Sequence, residues 1–323
     1  PGAPARPHHR HPRVEDETDL MTAKSLSIAF HIGAHKTATS HLQRSLARAR
    51  DSLAAEGVRY YGPDHFRLPG RTIPALFGFR PGVAAGGAKR PAGEQLALLR
   101  KDANRLVLSE ENFIGPLNQP HGRFMKHRYK AAGARLTELA TAIDHKVDVF
   151  LAIRRPTAFI NSAYCQMLLG GRVQPVEVFQ RRNPLSSVDW VGLVADLRAA
   201  QGVGAVTVWQ YEDYGAIFPR IAAGLVGQDA AHCVMPRPRR INRGLSAAAV
   251  QHVLDADRAT EEKIARAARQ MMPIEDGYAP FDGFAAEEHA IGDAIYARQL
   301  AAIAQMQGVD LLQQDAGEPN DGS

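Results

Sequence analysis

One short stretch of the chain carries a lysine and three hydroxyl side chains directly after a glycine. Gly33 is followed within seven residues by Lys36, Thr37, Thr39 and Ser40. Hydroxyl groups and the free backbone N–H groups of a helix N-terminus can hold a phosphate oxygen, and a lysine ammonium neutralises part of its charge. These residue types indicate an anion-binding turn. The alternative is an ordinary helix cap, because threonine and serine are also common N-cap residues.

A second group of candidate anion-binding side chains follows the most strand-like run of the chain, Val147–Ile153. Arg154 comes directly after this run, Pro156 suits the first position of a helix, and Ser162 falls within the helical pattern of residues 157–169. The carboxyl ends of parallel strands share one edge of a sheet, where ligands bind. We therefore expect both groups at one edge, although an isolated arginine after a strand is more often solvated or salt-bridged.

Two carboxylates follow another predicted strand, residues 105–108. Glu110 and Glu111 come one and two residues after Ser109. A carboxylate at the ligand-binding edge of a sheet can serve as a general base. Both glutamates can also be first-turn residues of the next helix, where negative charge is favourable. The sequence leaves these two interpretations open.

The first group resembles the 5′-phosphosulfate loop of sulfotransferases that use 3′-phosphoadenosine 5′-phosphosulfate (PAPS). The pattern in that family is commonly (P/H)-K-(T/S)-G-(T/S)-(T/S), and residues 35–40 are HKTATS. Ala38 stands where glycine is usual, which costs stability if the position requires a positive φ. A Walker A loop, G-x-x-x-x-G-K-[ST], does not fit because the lysine comes earlier.

The later residues resemble two further features of the same family. Its 3′-phosphate motif has the form R-x-P-x(5)-S-x-Y, which is matched by Arg154, Pro156, Ser162 and Tyr164. In bacterial carbohydrate-type members a strand is followed by a Ser-x-Glu segment, which residues 109–111 resemble. The resemblance extends over residues 25–246 and is loose outside the motifs.

The resemblance implies a sulfotransferase that moves a sulfuryl group from PAPS to a hydroxyl or amine of an acceptor, with a carbohydrate or glycolipid as the family-level expectation and no metal. Lys36 and Glu111 would be catalytic, with Glu110 as the alternative base. Arg243 belongs to a basic segment, residues 237–244, that folds over the nucleotide in this family. The cofactor-binding residues would be Gly33, His35, Lys36, Thr37, Ala38, Thr39, Ser40, Arg154, Ser162 and Arg243.

Two other functions are consistent with parts of the pattern. A P-loop kinase would need Mg²⁺ held by a loop hydroxyl and an acidic residue that ends a neighbouring strand. The strongest predicted strand ends instead in Arg154-Arg155. A non-catalytic nucleotide-binding module of the same family is the third hypothesis, with Ala38 as a sign of lost activity.

The elements that would position these residues alternate between strands and helices. Strands are predicted at residues 25–32, 57–61, 105–108, 147–153 and 205–210. This alternation predicts an α/β fold, a P-loop-like parallel sheet of about five strands with helices on both faces. We expect one domain over residues 25–313, between disordered tails at residues 1–24 and 314–323. The first tail has no apolar segment and is not expected to be a signal peptide.

Composition narrows the class of protein further. A net charge of +5 over 323 residues suits an anionic ligand but is too small to indicate nucleic-acid binding. The two cysteines indicate neither a disulfide framework nor a zinc site, and no apolar run approaches about 20 residues. We therefore expect a cytoplasmic protein without stable membrane insertion. The expected partner is a small-molecule or carbohydrate acceptor, and no oligomeric state is indicated. A long surface loop is predicted before Gly93, either an acceptor-binding lid or a disordered insertion.

Overall fold

The computed structural model describes residue 2 and residues 25–79, 90–118, 128–238, 244–256 and 261–314. The predicted tail at residues 1–24 therefore lies outside the described residues except for Gly2, and the tail at residues 314–323 except for Gln314. No helix within the described ranges is both long and apolar enough to cross a membrane.

The described residues form a single open sheet of six parallel strands in the order β2-β3-β1-β4-β5-β6. Its strands are β1 (Ser27–His31), β2 (Val58–Tyr61), β3 (Arg105–Ser109), β4 (Val147–Ile153), β5 (Val203–Gln210) and β6 (Val309–Leu312). The chain leaves β1 for β2 and β3 on one side and then crosses to β4 on the other. Ligand sites in such sheets lie at the carboxyl ends of the strands, near the point where the winding changes direction.

Helices cover both faces of the sheet. They are α1 (Thr39–Arg48), α2 (Arg50–Ala55), α3 (Pro63–Phe66), α4 (Ile73–Phe77), α5 (Ala92–Arg100), α6 (Ala132–Ile143), α7 (Pro156–Leu169), α8 (Val176–Arg182), α9 (Trp190–Ala199), α10 (Phe218–Val226), α11 (Ala247–Asp255), α12 (Glu261–Met271) and α13 (Ala286–Ala304). The smaller core lies between the sheet and α1, α2 and α10, and the larger core lies under the helices of the other face.

The strand sequences explain this double coverage. In β4, Val149 and Leu151 face the larger core whereas Phe150 and Ala152 face the smaller one. Both faces are buried from Val149 to Ile153, so this part of the strand is continuously apolar instead of alternating. The predicted α/β class with helices on both faces is confirmed.

The sixth strand was not predicted. Val309–Leu312 has only four residues, includes the polar Asp310, and pairs with β5 alone at the edge of the sheet. So short a run is not distinguished from a loop by its pattern.

The prediction of a long surface loop before Gly93 is wrong for residues 63–79. This stretch contains α3 and α4 and buries four aromatic or aliphatic side chains, Phe66, Ile73, Phe77 and Phe79, in the larger core. Helices of four and five residues present too few turns to produce a visible helical period. Residues 80–89 lie outside the described part of the chain.

Candidate functional site

The turn between β1 and α1 is built from residues in the left-handed region of backbone space. Gly33 has φ +43°, Lys36 φ +66° and Ala38 φ +62°. Ala38 is the N-cap residue of α1 and has no side chain that could accept from the first N–H groups of the helix. The His41 N–H donates to the Ala38 carbonyl oxygen at 2.9 Å, so a ligand or water is left with the N–H groups that precede it. The position where the family pattern has glycine thus does require a positive φ, and alanine there costs about 1 kcal/mol.

Two threonines shape this turn from inside. The Thr37 hydroxyl donates to the carbonyl oxygen of Ala34 at 2.5 Å, and Thr37 is 2% exposed. A Cβ atom at Gly33 would clash with the methyl group of Thr39, so a side chain at position 33 is excluded. Thr37 and Thr39 therefore fix the shape of the turn, while Ser40 is half-buried at the start of α1.

Two cations meet beside the turn with neutral hydrogen-bond partners. The Arg154 guanidinium donates from Nη1 to the Lys36 carbonyl oxygen at 2.9 Å and lies 4.3 Å from the centre of the Tyr211 ring. The Lys36 ammonium donates to Gln166 Oε1 at 3.3 Å. Arg154 forms no ion pair with any carboxylate in the described ranges, and its Nε is buried without a hydrogen-bond partner.

The pKa values of these two groups reflect their environment. Burial lowers the pKa of Lys36, and the neighbouring Arg154 and Arg269 guanidinium groups lower it further. Burial also lowers the pKa of Arg154, and it outweighs the opposite effects of Tyr211 and of the nearby Glu212 carboxylate. Desolvated cations next to one another, with no carboxylate in direct contact, are stabilised by an anion bound between them. This end of the site is therefore suited to a phosphate or sulfate group.

Ser162 lies on the face of α7 that points toward the turn. It is half-buried, and it precedes Gln166, the hydrogen-bond partner of Lys36, by four residues. Side chains four residues apart on a helix are neighbours on one face. Helix spacing thus places Ser162 on the side of α7 that Lys36 contacts, and Lys36 in turn is contacted by Arg154. Arg243 lies outside the described residues.

The two candidate bases are held by one arginine. Arg67 donates to both oxygens of Glu110, from Nε at 3.0 Å and from Nη2 at 2.9 Å, and Nη2 also lies 2.8 Å from Glu111 Oε1. The other oxygen of Glu111, Oε2, accepts from Gln43 Nε2 at 2.7 Å. Burial alone raises the pKa of the Glu111 carboxyl, but Arg67 and Gln43 outweigh burial, so its pKa lies below the usual range and the group is ionised at neutral pH.

Hydrogen bonds connect this carboxylate to the strands beneath it. Gln43 Nε2 also approaches Ser109 Oγ at 3.2 Å, and Ser109 Oγ lies 2.8 Å from His31 Nδ1. Burial lowers the pKa of His31 to about 4, so its ring is neutral. The end of β1, the end of β3 and the helix α1 are therefore joined below Glu111.

His35 connects the turn to the segment after β3. Its ring lies 3.0 Å from the Tyr129 hydroxyl through Nδ1 and 3.1 Å from Asn112 Oδ1 through Nε2. Burial lowers the pKa of His35, which favours the neutral ring. Because Asn112 follows Glu111 directly, this contact brings the cationic turn and the carboxylates into one site.

The site includes residues that the sequence motifs did not identify. Gln166 contacts Lys36, Arg269 acts on its charge, Tyr211 underlies Arg154, and Gln43 and Arg67 hold Glu111. Gln43 lies on α1, but nothing in its spacing predicted a contact with a residue 68 positions later. In the described part of the chain, no group of three or more His, Cys, Asp or Glu side chains could hold a metal ion.

Comparison with known proteins gives distant structural similarity. No protein-family model and no curated protein matches the chain. Among solved structures, the chain is similar to a sulfotransferase from Alicyclobacillus acidocaldarius, with 14% sequence identity and a TM-score of 0.37. The match covers 63% of this chain and 81% of that one. Similarity at this level assigns neither a family nor an activity. The function of this chain must therefore be inferred from the chemistry of its own side chains.

Proposed function

We propose that this protein is a PAPS-dependent sulfotransferase that transfers a sulfuryl group to an acceptor such as a carbohydrate. The observation that supports this most directly is the pairing of Lys36 and Arg154 through neutral contacts alone, beside the open N-terminus of α1. An ionised carboxylate, Glu111, lies at the same edge of the sheet.

The residues of the cationic end fit a nucleotide with two separate anionic groups. The turn amides, Ser40 and Lys36 would hold the 5′-phosphosulfate, and Arg154 with Ser162 would hold the 3′-phosphate. The buried, unpartnered Nε of Arg154 leaves a donor available for such a ligand. Contacts to the 3′-phosphate are remote from the reacting sulfur, so their binding energy serves to align the nucleotide.

Transfer needs a proton acceptor on one side and charge stabilisation on the other. PAPS supplies the sulfuryl group and a 5′-phosphate as the leaving group. Glu111 accepts the proton of the acceptor as its oxygen or nitrogen bonds to sulfur. Lys36 and the turn N–H groups stabilise the charge that develops on the leaving phosphate.

A P-loop kinase is the second candidate function. Glu110 and Glu111 follow β3, the strand next to β1, which is where such enzymes place an acidic Mg²⁺ ligand. Here Arg67 contacts both oxygens of Glu110 and Oε1 of Glu111, and a guanidinium competes with a cation for them. The sulfotransferase therefore fits this arrangement better.

Location and acceptor are part of the same proposal. Cys165 and Cys233 are both free thiols, which suits a reducing compartment such as the cytoplasm. A carbohydrate or glycolipid acceptor follows only from the sequence resemblance to carbohydrate-type enzymes.

Calorimetric titration with 3′-phosphoadenosine 5′-phosphate (PAP), the expected product, tests the proposal. We expect PAP to bind without metal and ATP to bind poorly with or without Mg²⁺. Mg²⁺-dependent ATP binding without PAP binding would replace the sulfotransferase with the kinase. Binding of PAP with no sulfate transfer to any acceptor in a broad screen, water included, would indicate a non-catalytic nucleotide-binding module.

A further inference from the structure

The two oxygens of Glu111 have different partners. Oε2 is held by Gln43, which is 5% exposed, and Oε1 is contacted by Arg67 Nη2 at 2.8 Å. The Arg67 side chain is 46% exposed and that of Glu111 is 11% exposed. A molecule that arrives from solvent therefore reaches Glu111 at Oε1, next to Arg67.

Arg67 can release Glu111 without losing its ion pair. Its Nε and Nη2 already contact both oxygens of Glu110, which is 6% exposed. The backbone N–H of Asn112 donates to Glu110 Oε1 at 3.0 Å and fixes that carboxylate in place. An atom inserted between Nη2 and Glu111 Oε1 thus disrupts that one contact and leaves the contacts of Arg67 with Glu110 intact.

We propose that Arg67 is an acceptor-binding, specificity-determining residue, and that the acceptor group is a neutral hydroxyl and not an amine. This inference rests on the sulfotransferase proposed above. A hydroxyl oxygen has lone pairs that accept from Arg67 Nη2 and a proton that it donates to Glu111 Oε1. An ammonium group has no lone pair, and the guanidinium repels it.

The transfer step is balanced with these groups alone. The acceptor O–H bond breaks and its proton goes to Glu111 Oε1, while the acceptor oxygen forms a bond to sulfur. The bond between sulfur and the 5′-phosphate oxygen breaks, and its electron pair stays on that oxygen beside Lys36. Arg67 holds the acceptor oxygen in line and retains Glu110 as its counter-ion.

A purely structural ion pair is the alternative for Arg67. It would tie the segment between α3 and α4 to the end of β3 and would stabilise the fold. In that case Arg67→Lys, which keeps the charge, would restore most of the function, and the pH dependence would not depend on the guanidinium geometry. Catalysis and fold stability must therefore be measured separately.

Hydrolysis of PAPS to PAP and sulfate provides the assay, because water is itself a neutral hydroxyl acceptor. Rates are measured from pH 4 to 9 for wild type, Arg67→Gln, Arg67→Lys and the control Arg71→Gln, an exposed arginine of the same segment. PAP affinity and thermal unfolding are measured on the same samples. Ethanolamine, which offers a hydroxyl and an amine in one molecule, is then added as a probe acceptor, and the products are identified by mass spectrometry and NMR.

We expect Arg67→Gln to lower the hydrolysis rate at least tenfold and to move the acidic limb of the pH profile upward, with PAP affinity within twofold of wild type. Tyr60 and Tyr129 have raised pKa values and titrate outside the measured pH range. Burial lowers the pKa of His31 to about 4 and also lowers that of His35, so these rings can contribute to the acidic limb. Both histidines are present in every variant, so the shift is taken as the difference between Arg67→Gln and the Arg71→Gln control. Arg67→Lys should recover less than half of the rate, and Arg71→Gln should match wild type. Ethanolamine should yield sulfate on oxygen only or no new product.

Three results would overturn the inference while leaving PAP binding intact. These are an Arg67→Gln enzyme with a wild-type rate and profile, a sulfamate product from ethanolamine, and a wild-type rate no higher than that of buffer. Failure of wild type to bind PAP would instead remove the sulfotransferase itself.

Discussion

The two ends of the site treat charge in opposite ways. At the cationic end, Lys36 and Arg154 contact a carbonyl, an amide and an aromatic ring, none of which carries a counter-charge. At the carboxylate end, Glu110 and Glu111 share the guanidinium of Arg67. Uncompensated charges raise the free energy of the folded protein until a ligand arrives, whereas compensated charges contribute to its stability. The first end is therefore built for binding, and the second for holding a carboxylate in a defined ionisation state.

Among the variants that test this difference between the two ends, Glu111→Gln should have the largest effect on activity. An amide cannot accept the acceptor proton, so PAPS turnover should fall about 10² to 10⁴-fold, with PAP affinity nearly unchanged. Glu110→Gln should lose much less activity, because the Glu111 carboxylate keeps its contacts with Arg67 and Gln43. Equal losses in the two variants, measured as initial rates, would contradict the assignment of the base to Glu111.

Arg154→Ala tests the cationic end. We expect PAP binding to weaken by about 2 kcal/mol or more by calorimetry, since a charge-assisted contact to the 3′-phosphate is lost. Arg155→Ala is the matched control, because its side chain is 55% exposed and lies 3.9 Å from Asp293. Similar affinities for the two variants would show that Arg154 does not contact the ligand.

Substitution of Arg67 should lower the stability of the fold, in contrast to substitution of Arg154. Arg67→Gln leaves two buried carboxylates with less compensation and should lower the free energy of unfolding at pH 7 by about 2 kcal/mol, after allowance for the exposure of Arg67. Because the pKa of Glu111 is lower in the folded than in the unfolded chain, this contribution is present above about pH 4.3 and is lost as pH falls through the folded pKa. Urea unfolding at pH 7 measures the loss in the free energy of unfolding, and the same measurement at pH 4 shows how that loss depends on pH. A deficit equally large at pH 4 would argue against an ionic origin.

The smallest expected effect is that of Ala38→Gly. Glycine relieves the left-handed alanine, so the variant should be more stable by up to about 1 kcal/mol, which is a rise of about 2 °C in Tm for a chain of this size. PAP affinity should stay equal or increase, because the turn keeps its shape. Ala34→Gly, in the same turn and without a positive φ, should not stabilise the protein. A loss of stability in Ala38→Gly would mean that the turn carries no strain at Ala38.

The parts of the molecule that could be predicted from sequence are those coded by neighbouring residues. The strand Val147–Ile153 matches its prediction residue for residue, because burial on both faces requires apolar residues at every position except Asp148. The turn after β1 could also be predicted from the sequence, since its lysine, hydroxyl and small residues follow one another in the chain. The site assignments remain predictions, but these linear motifs do lie at one edge of the sheet.

The parts that could not be predicted depend on distances that sequence spacing does not encode. Arg67 contacts Glu110 and Glu111, which follow it by 43 and 44 residues, because α3 and α4 pack on the core. No sequence motif predicts that packing. The positive φ of Ala38 was also undetermined, because alanine is equally suited to a first helical turn.

Gln43 connects the two ends of the site through the helix α1. This helix presents its N-terminus to the anion site, and one turn later Gln43 holds Glu111 Oε2. A small displacement of α1 on ligand arrival would reposition the carboxylate before any acceptor enters. Steady-state kinetics should therefore show an ordered sequence, with the nucleotide first on and last off, and Gln43→Leu should make the order random.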